Sequence, residues 1–278
     1  LNYRYAAYST GAYPSYYDNW GIGMVGVAEF EGDTFVNQTA LFATGEAEMA
    51  INLPRGDVED GENTYVGGSA HGFENVSLDG SNHRKIRMVL DGQSISEGDV
   101  IPLCTYETFE VFQETTLCQA YTNSNPFAIV TKHWVFTNDG LSIETSVKFT
   151  RNVNLHNAQL GMMCIYRHWL GNSSNWYLTN RGFKDTDIYT TYDISDGWTE
   201  GTGLGSRDHN CRKITEYGER GYGFSMEIIN PTIKPNGSMY VSTNNGVYNK
   251  IYFDCTGTSE LNSNDVISAM QKWYIGKS

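Results

Sequence analysis

The feature that most constrains this chain is a strict two-residue alternation on both sides of Asn138-Asp139-Gly140. After the triplet, Leu141, Ile143, Thr145, Val147 and Phe149 alternate with Ser142, Glu144, Ser146 and Lys148. Before it, Ile129, Thr131, His133 and Val135 alternate with Lys132, Trp134 and Phe136. A period of two sends one set to each side of a strand, and Asp-Gly supplies positive φ in a tight turn. The spacing predicts a β-hairpin over 129–136 and 141–149 with one buried face. The same period and turn chemistry recur over 88–103 and 104–121, and segments 21–30, 33–43, 157–169, 222–229, 238–243 and 247–255 also read as strands. Asn230-Pro231 and Pro235-Asn236-Gly237 read as breaks, and 264–276 as strand or short helix. No long stretch keeps a 3.6-residue period, and no repeat of fixed length is visible. The expected fold is all-β, an antiparallel β-sandwich or jelly roll with little helix. We expect one domain over 1–278, with a Tyr-rich N-terminal arm over 1–20.

Charge narrows the partners. Against 19 Lys and Arg stand 32 Asp and Glu in 278 residues, a formal net charge of −13. Such a chain repels nucleic acid and anionic membrane, and no apolar run reaches the roughly 18 residues of a membrane span. Charged residues make up only 18%, while Gly (29), Asn (24) and Tyr (19) abound. Neutral hydrogen-bonding and aromatic groups have replaced charge, as on extracellular β-proteins and sugar-binding surfaces. The five cysteines have no C-x-x-C spacing, which argues against zinc ribbons and thioredoxin-like sites and for buried thiols. No metal or cofactor is expected; Asp185, Asp187 and Asp193 match no calcium-ligand spacing. The four N-x-[ST] triplets, at Asn37, Asn75, Asn172 and Asn236, matter only in a glycosylating secretory pathway. A start at Leu1 without Met reads as a mature product or a fragment. P-loop, nucleophile-elbow and zincin motifs are absent from the sequence.

Four constellations could carry chemistry. In Tyr65-Val66-Gly67-Gly68-Ser69-Ala70-His71-Gly72-Phe73-Glu74, small residues surround an imidazole with a carboxylate three positions on, which suits a general base or ligand site. The bland alternative is a turn with an ordinary loop histidine. His133 sits on a predicted strand. In the segment ending Cys164-Ile165-Tyr166-Arg167-His168-Trp169, either Tyr166 and His168 or Arg167 and Trp169 face away from the core. Scarce basic charge gathers at His83-Arg84-Lys85 with Arg87, and recurs at Arg151, Arg167, Arg181 and Lys184, marking an anionic ligand or a solvated face. Trp169, Trp176 and Trp198 lie among Asn and Asp residues, a supply of stacking faces and hydroxyl-binding groups that core packing explains in part.

The region from Tyr65 to Trp169, with its His-Gly-x-Glu loop, Leu-Asp-Gly turn, Lys-His-Trp strand and Tyr-Arg-His-Trp strand, resembles carbohydrate-active β-sandwiches, namely polysaccharide lyases and phage tail depolymerases. The Arg, Gln-x-His and Tyr strand motifs of alginate-lyase jelly rolls are missing. The resemblance implies glycan chemistry outside the cell, secreted or on a virion, with oligomers if virion-borne. Cleavage by β-elimination beside a uronic acid needs a cation, a base and an acid. Arg167 or Arg151 would supply the first, His71 or His133 the second and Tyr166 the third, with Glu74, His168, Trp169, Trp176 and Trp198 binding substrate. A glycoside hydrolase would instead pair carboxylates, Glu74 with Glu144 or Glu227. The rival reading is a non-catalytic glycan- or receptor-binding head, such as a phage tail receptor-binding protein or adhesin.

Overall fold

The structure, a computed structural model, describes residues 2–10, 13–32, 34–42, 48–53, 65–96, 99–100, 105–120, 125–171, 176–185, 190–194, 211–232, 237–244 and 247–277. Its first strands are β1 (Asn2–Thr10), β2 (Tyr13–Met24), β3 (Gly26–Glu31), β4 (Thr34–Ala40), β5 (Glu48–Asn52) and β6 (Tyr65–Val66). A single helical turn, α1 (Gly68–His71), precedes β7 (Glu74–Val76), β8 (Ile86–Leu90), β9 (Gln93–Ile95) and β10 (Thr108–Cys118). Then follow β11 (Pro126–Thr137), β12 (Gly140–Phe149), β13 (Val153–Tyr166), β14 (Arg181–Asp185), β15 (Thr190–Asp193) and β16 (Lys213–Tyr217). The chain closes with β17 (Tyr222–Thr232), β18 (Ser238–Asn244), β19 (Tyr248–Leu261) and β20 (Val266–Lys277).

Two sheets face each other. The large sheet has thirteen strands in the order β1-β2-β7-β10-β11-β12-β20-β17-β16-β14-β15, with β8 and β9 added beside β10. The small sheet runs β18-β19-β13-β5-β6, and β3-β4 form a separate hairpin. Pairing is antiparallel apart from β2 with β7, where Tyr17 meets Glu74 and Asp18 meets Asn75. The architecture is thus the antiparallel sandwich that the alternation predicts. Within the Tyr-rich N-terminal segment, residues 2–10 and 13–20 belong to the large sheet, as β1 and most of β2.

One apolar core spans both layers, with Ile143, Val147, Met226 and Trp273 from the large sheet and Leu155, Leu160, Ile251 and Phe253 from the small one. A Cβ on Gly161 of β13 would stand 3.1 Å from Ile228 and 3.3 Å from Met226, so the layers nearly touch there. Gln271 carries a satisfied polar group across the gap: it donates to the Leu160 carbonyl at 3.3 Å and accepts from Trp273 Nε1 at 2.8 Å.

The predicted hairpin is present as β11 and β12, with Val130 opposite Val147 and His133 opposite Glu144. Gly140 has φ 138°, and a Cβ there would fall 2.2 Å from the Trp273 carbonyl oxygen. The turn therefore also lets β20 come alongside. Of segment 264–276, residues 266–276 prove to be strand, as part of β20. Asn230-Pro231 is no break: it lies within β17, Asn230 at φ 46°, where the register shifts between Ile229 and Thr232. Such a shift accommodates the N–H that proline lacks. Cys118, Cys164 and Cys211 are buried free thiols. The side chain of Cys255 and all of Cys104, Asp187 and Trp198 lie outside the described residues. No helix among the described residues is long and apolar enough to cross a membrane.

Candidate functional site

The solvent side of the large sheet carries a groove of about 560 Å³ over β8, β10, β11 and β12, within the usual range for ligand sites. Alternation builds it. On β11, Lys132, Trp134 and Phe136 turn inward and are buried, so Thr131 and His133 face out. On β10 and β12 the same rule exposes Phe112, Glu114, Glu144 and Ser146 to the groove. Register then aligns Arg87, Phe112, His133 and Glu144 in one row, one residue from each strand. Side chains opposite each other on a sheet face lie about 4.5–5.5 Å apart at Cβ and interact directly.

The row is stacked. Phe112 and His133 lie nearly parallel, centroids 3.9 Å apart at 15°, and the Arg87 guanidinium carbon sits 3.8 Å from the Phe112 centroid. The His133 Nε2 meets the Glu110 carboxylate at 2.7 Å, which fixes the ring and leaves Nδ1 as its remaining polar atom. Three cationic side chains belong to the groove's lining residues, and one of them has no carboxylate partner among the described residues. Lys132 ends inside the sheet on Glu74, Lys85 pairs with Glu114 at 2.6 Å, and Arg87 makes no ion pair among the described residues. An exposed pair like Lys85–Glu114 adds at most about 1 kcal/mol.

The other expected site residues are dispersed. His71 closes α1 against Tyr65, ring centroids 5.3 Å apart, and burial lowers its pKa to about 4. It is neutral at pH 7 but does not line the groove. Glu74 is wholly buried: it accepts from Gly68 N–H at 2.7 Å and Thr115 Oγ1 at 2.6 Å and pairs with Lys132 Nζ at 2.8 Å. This corrects its reading as a substrate ligand, and a hydrolase pair with Glu144 or Glu227, because no ligand reaches a carboxylate sealed in the core. Arg167, 1% exposed, is likewise shut away. Tyr166 packs half-buried against the core, His168 stacks on Tyr177 at 4.3 Å, and Arg151 sits half-buried between β12 and β13.

Trp169 and Trp176 stack on each other at 5.0 Å, and Tyr222 stacks on Trp176 at 5.7 Å. Trp176 is 8% exposed, so its faces belong to the protein's own packing. Of the residues expected to supply cation, base and acid for β-elimination, the groove holds His133 among the described residues; Lys85 and Arg87 of the basic cluster and Glu144 of the hydrolase pair also line it. Glu110 and Phe112 escaped sequence reasoning, although an aromatic residue between glutamates on an outward strand face was a usable signal. Among the described residues, no three His, Cys, Asp or Glu side chains gather as a metal site would require.

No protein-family model matches the sequence, and no curated protein matches it. Several solved structures align with it over most of its length. The galactosidase domain of an alpha-galactosidase–sucrose kinase aligns at 9% identity and TM-score 0.46, over 89% of this chain and 32% of that one. A glycoside hydrolase family 97 enzyme variant from Pseudoalteromonas sp. strain K8 aligns at 12% identity and TM-score 0.42, over 91% and 34%. A putative aldose 1-epimerase from Escherichia coli K12 aligns at 9% identity and TM-score 0.41, over 92% and 100%. The chain spans about a third of the length of the first two.

Proposed function

We propose that this is a carbohydrate-binding protein acting outside the cell or on a virion, and that its groove takes a uronate-bearing polysaccharide. The observation that carries the reading is Arg87. Its guanidinium carbon lies 3.8 Å from the Phe112 ring centroid, beside His133, and the group makes no ion pair with a carboxylate among the described residues. A planar guanidinium matches a sugar carboxylate with two parallel hydrogen bonds, and Glu144, Thr131 and Ser146 offer partners for hydroxyls. Retention should be measured on immobilised polygalacturonate, alginate and hyaluronan, with dextran as the neutral control. Wild type is expected to bind a polyuronate, Arg87→Ala to lose at least tenfold in affinity, and dextran to be ignored. Equal retention of Arg87→Ala on every polymer overturns the reading.

A second reading adds catalysis, favoured by the Glu110–His133 contact. A carboxylate-oriented imidazole suits removal of the C5 proton in a lyase-type depolymerase, with Arg87 neutralising the adjacent carboxylate and the protonated His133 passing that proton to the leaving O4 as the C4–O4 bond breaks. Absorbance of unsaturated ends is its readout. His133→Ala should lower turnover by roughly 10²–10⁴-fold while binding persists. Binding without unsaturated ends favours the receptor-binding head instead.

A further inference from the structure

Beyond the groove, the outward face of the large sheet continues across three more strands, and its residues are not a random solvated mixture. Next to the Arg87–Phe112–His133–Glu144 row runs a second one. Glu110 stands opposite Val135, Val135 opposite Ser142, Ser142 opposite Lys272, Lys272 opposite Glu227, and Glu227 opposite Lys213. All point outward, because their strand neighbours Ile143, Gln271, Trp273, Met226 and Ile214 are buried. The far end repeats the chemistry of the groove. Lys213 Nζ lies 5.3 Å from the Tyr274 ring centroid, as Arg87 lies over Phe112, and the Tyr274 hydroxyl donates to Glu227 at 3.1 Å. With Glu227 engaged there, neither Lys213 nor Lys272 makes an ion pair among the described residues. Ser142, Ser146 and Ser268 lie at the centre of the face, with Glu144 and Met270 between them.

We infer that the outward face from β8 to β16 is a continuous track for a linear polyuronate, gripped at both ends by a cation on an aromatic ring. This rests on the carbohydrate reading of the groove and extends it. Adjacent strands are about 4.8 Å apart, so Glu110 to Lys213 spans five spacings, on the order of 24 Å. One spacing approximates one pyranose along a chain. A chain crossing the strands meets Arg87 and Phe112 first, then His133, Glu144 and the serine hydroxyls around it, then Lys272, Lys213 and Tyr274. The two cationic ends are complementary to a ligand with a negative charge on every residue. A monosaccharide or a globular protein ligand would not need cations that far apart.

The test is calorimetric titration with length series of oligogalacturonate and oligomannuronate, from dimer to octamer. Affinity is expected to climb about tenfold or more between trimer and hexamer, then level. Lys213→Gln and Tyr274→Ala should weaken the hexamer about tenfold and leave the trimer unchanged, while Phe112→Ala weakens both. Lys213→Gln alters only the tip of a strand-face side chain, which keeps the test valid should Tyr274→Ala fold poorly. A trimer that binds as tightly as the octamer, or a hexamer indifferent to Lys213→Gln, overturns the track and leaves the groove standing. Wild type that binds no length of either series overturns both.

Discussion

Lys132 Nζ lies 2.8 Å from the Glu74 carboxylate, with both side chains fully shielded from solvent. The pair ties β7 to β11 across β10, and through the Gly68 amide it also anchors α1, the turn that ends in His71. Removing one partner strands a charge in the core. Lys132→Met should therefore cost about 3–5 kcal/mol. Glu74→Gln with Lys132→Met leaves no lone charge and keeps an acceptor for Thr115, so the double variant should recover part of that loss. Urea unfolding of the three proteins decides it; a double variant less stable than Lys132→Met would show that the carboxylate stabilises by itself.

His71 predicts an acid-side loss of stability. Its pKa falls to about 4 in the folded protein through burial, against about 6.5 in the unfolded chain. The unfolded state thus takes up a proton first, and the stability that His71 contributes is present above pH 6.5 and lost as pH falls towards 4. The difference corresponds to about 3 kcal/mol. In thermal scans, wild type should lose more Tm between pH 7 and pH 4 than His71→Gln. Parallel curves for the two proteins would contradict the assignment.

Glu216 gives the opposite sign. It is completely buried on β16, and desolvation raises its pKa well above the ordinary carboxylate value. The folded state keeps the proton while the unfolded state releases it above about 4.3, so this contribution is full at low pH and declines as pH rises. Glu216→Gln preserves the shape of the neutral acid without its proton equilibrium. The variant should be more stable than wild type at pH 8, the gap closing below pH 4. A variant less stable than wild type at pH 8 would mean that the carboxyl has a partner only an acid can satisfy.

These three groups mark the boundary of what was legible in the sequence. The hairpin follows from local alternation, because Ile143, Val147 and Phe149 must be buried and only one register does that; the outward direction of His133 does not, since both faces of 129–136 carry apolar residues. That Lys132 finds Glu74 is invisible locally, since β7 and β11 meet through β10 and their pairing is set by long-range register. The same holds for Phe112, which becomes a site residue only when Arg87 and His133 arrive on either side. The sequence spacing puts His71 and Glu74 in one His-Gly-x-Glu loop. In the structure α1 links the small sheet to the large, and Glu74 turns inward as the first residue of β7. Trp169 and Trp176 could be seen as aromatic, but whether a ring faces solvent or Tyr222 depends on strands fifty residues apart in sequence.

The last prediction separates aromatic rings that serve the ligand from those that serve the fold. Trp176 is 8% exposed, has Trp169 and Tyr222 on its faces and carries Arg220 at 5.4 Å. Truncating such a side chain leaves a cavity, so Trp176→Ala should cost about 3–5 kcal/mol. Phe112 instead lies half-buried at the groove, stacked between Arg87 and His133. Phe112→Ala removes the platform that orients both, and should cost under about 1.5 kcal/mol in stability because little apolar area is lost from the core. Its effect belongs in binding, where stacking on an aromatic ring is worth about 1–3 kcal/mol per ring in nucleic-acid sites, a scale carried over to sugars. Unfolding midpoints and polyuronate retention, measured on both variants below their melting temperatures, should thus show Trp176→Ala losing stability with retention intact and Phe112→Ala the reverse. Retention lost in Trp176→Ala while the protein is still folded would move the ligand from the sheet face to the aromatic stack at the end of β13.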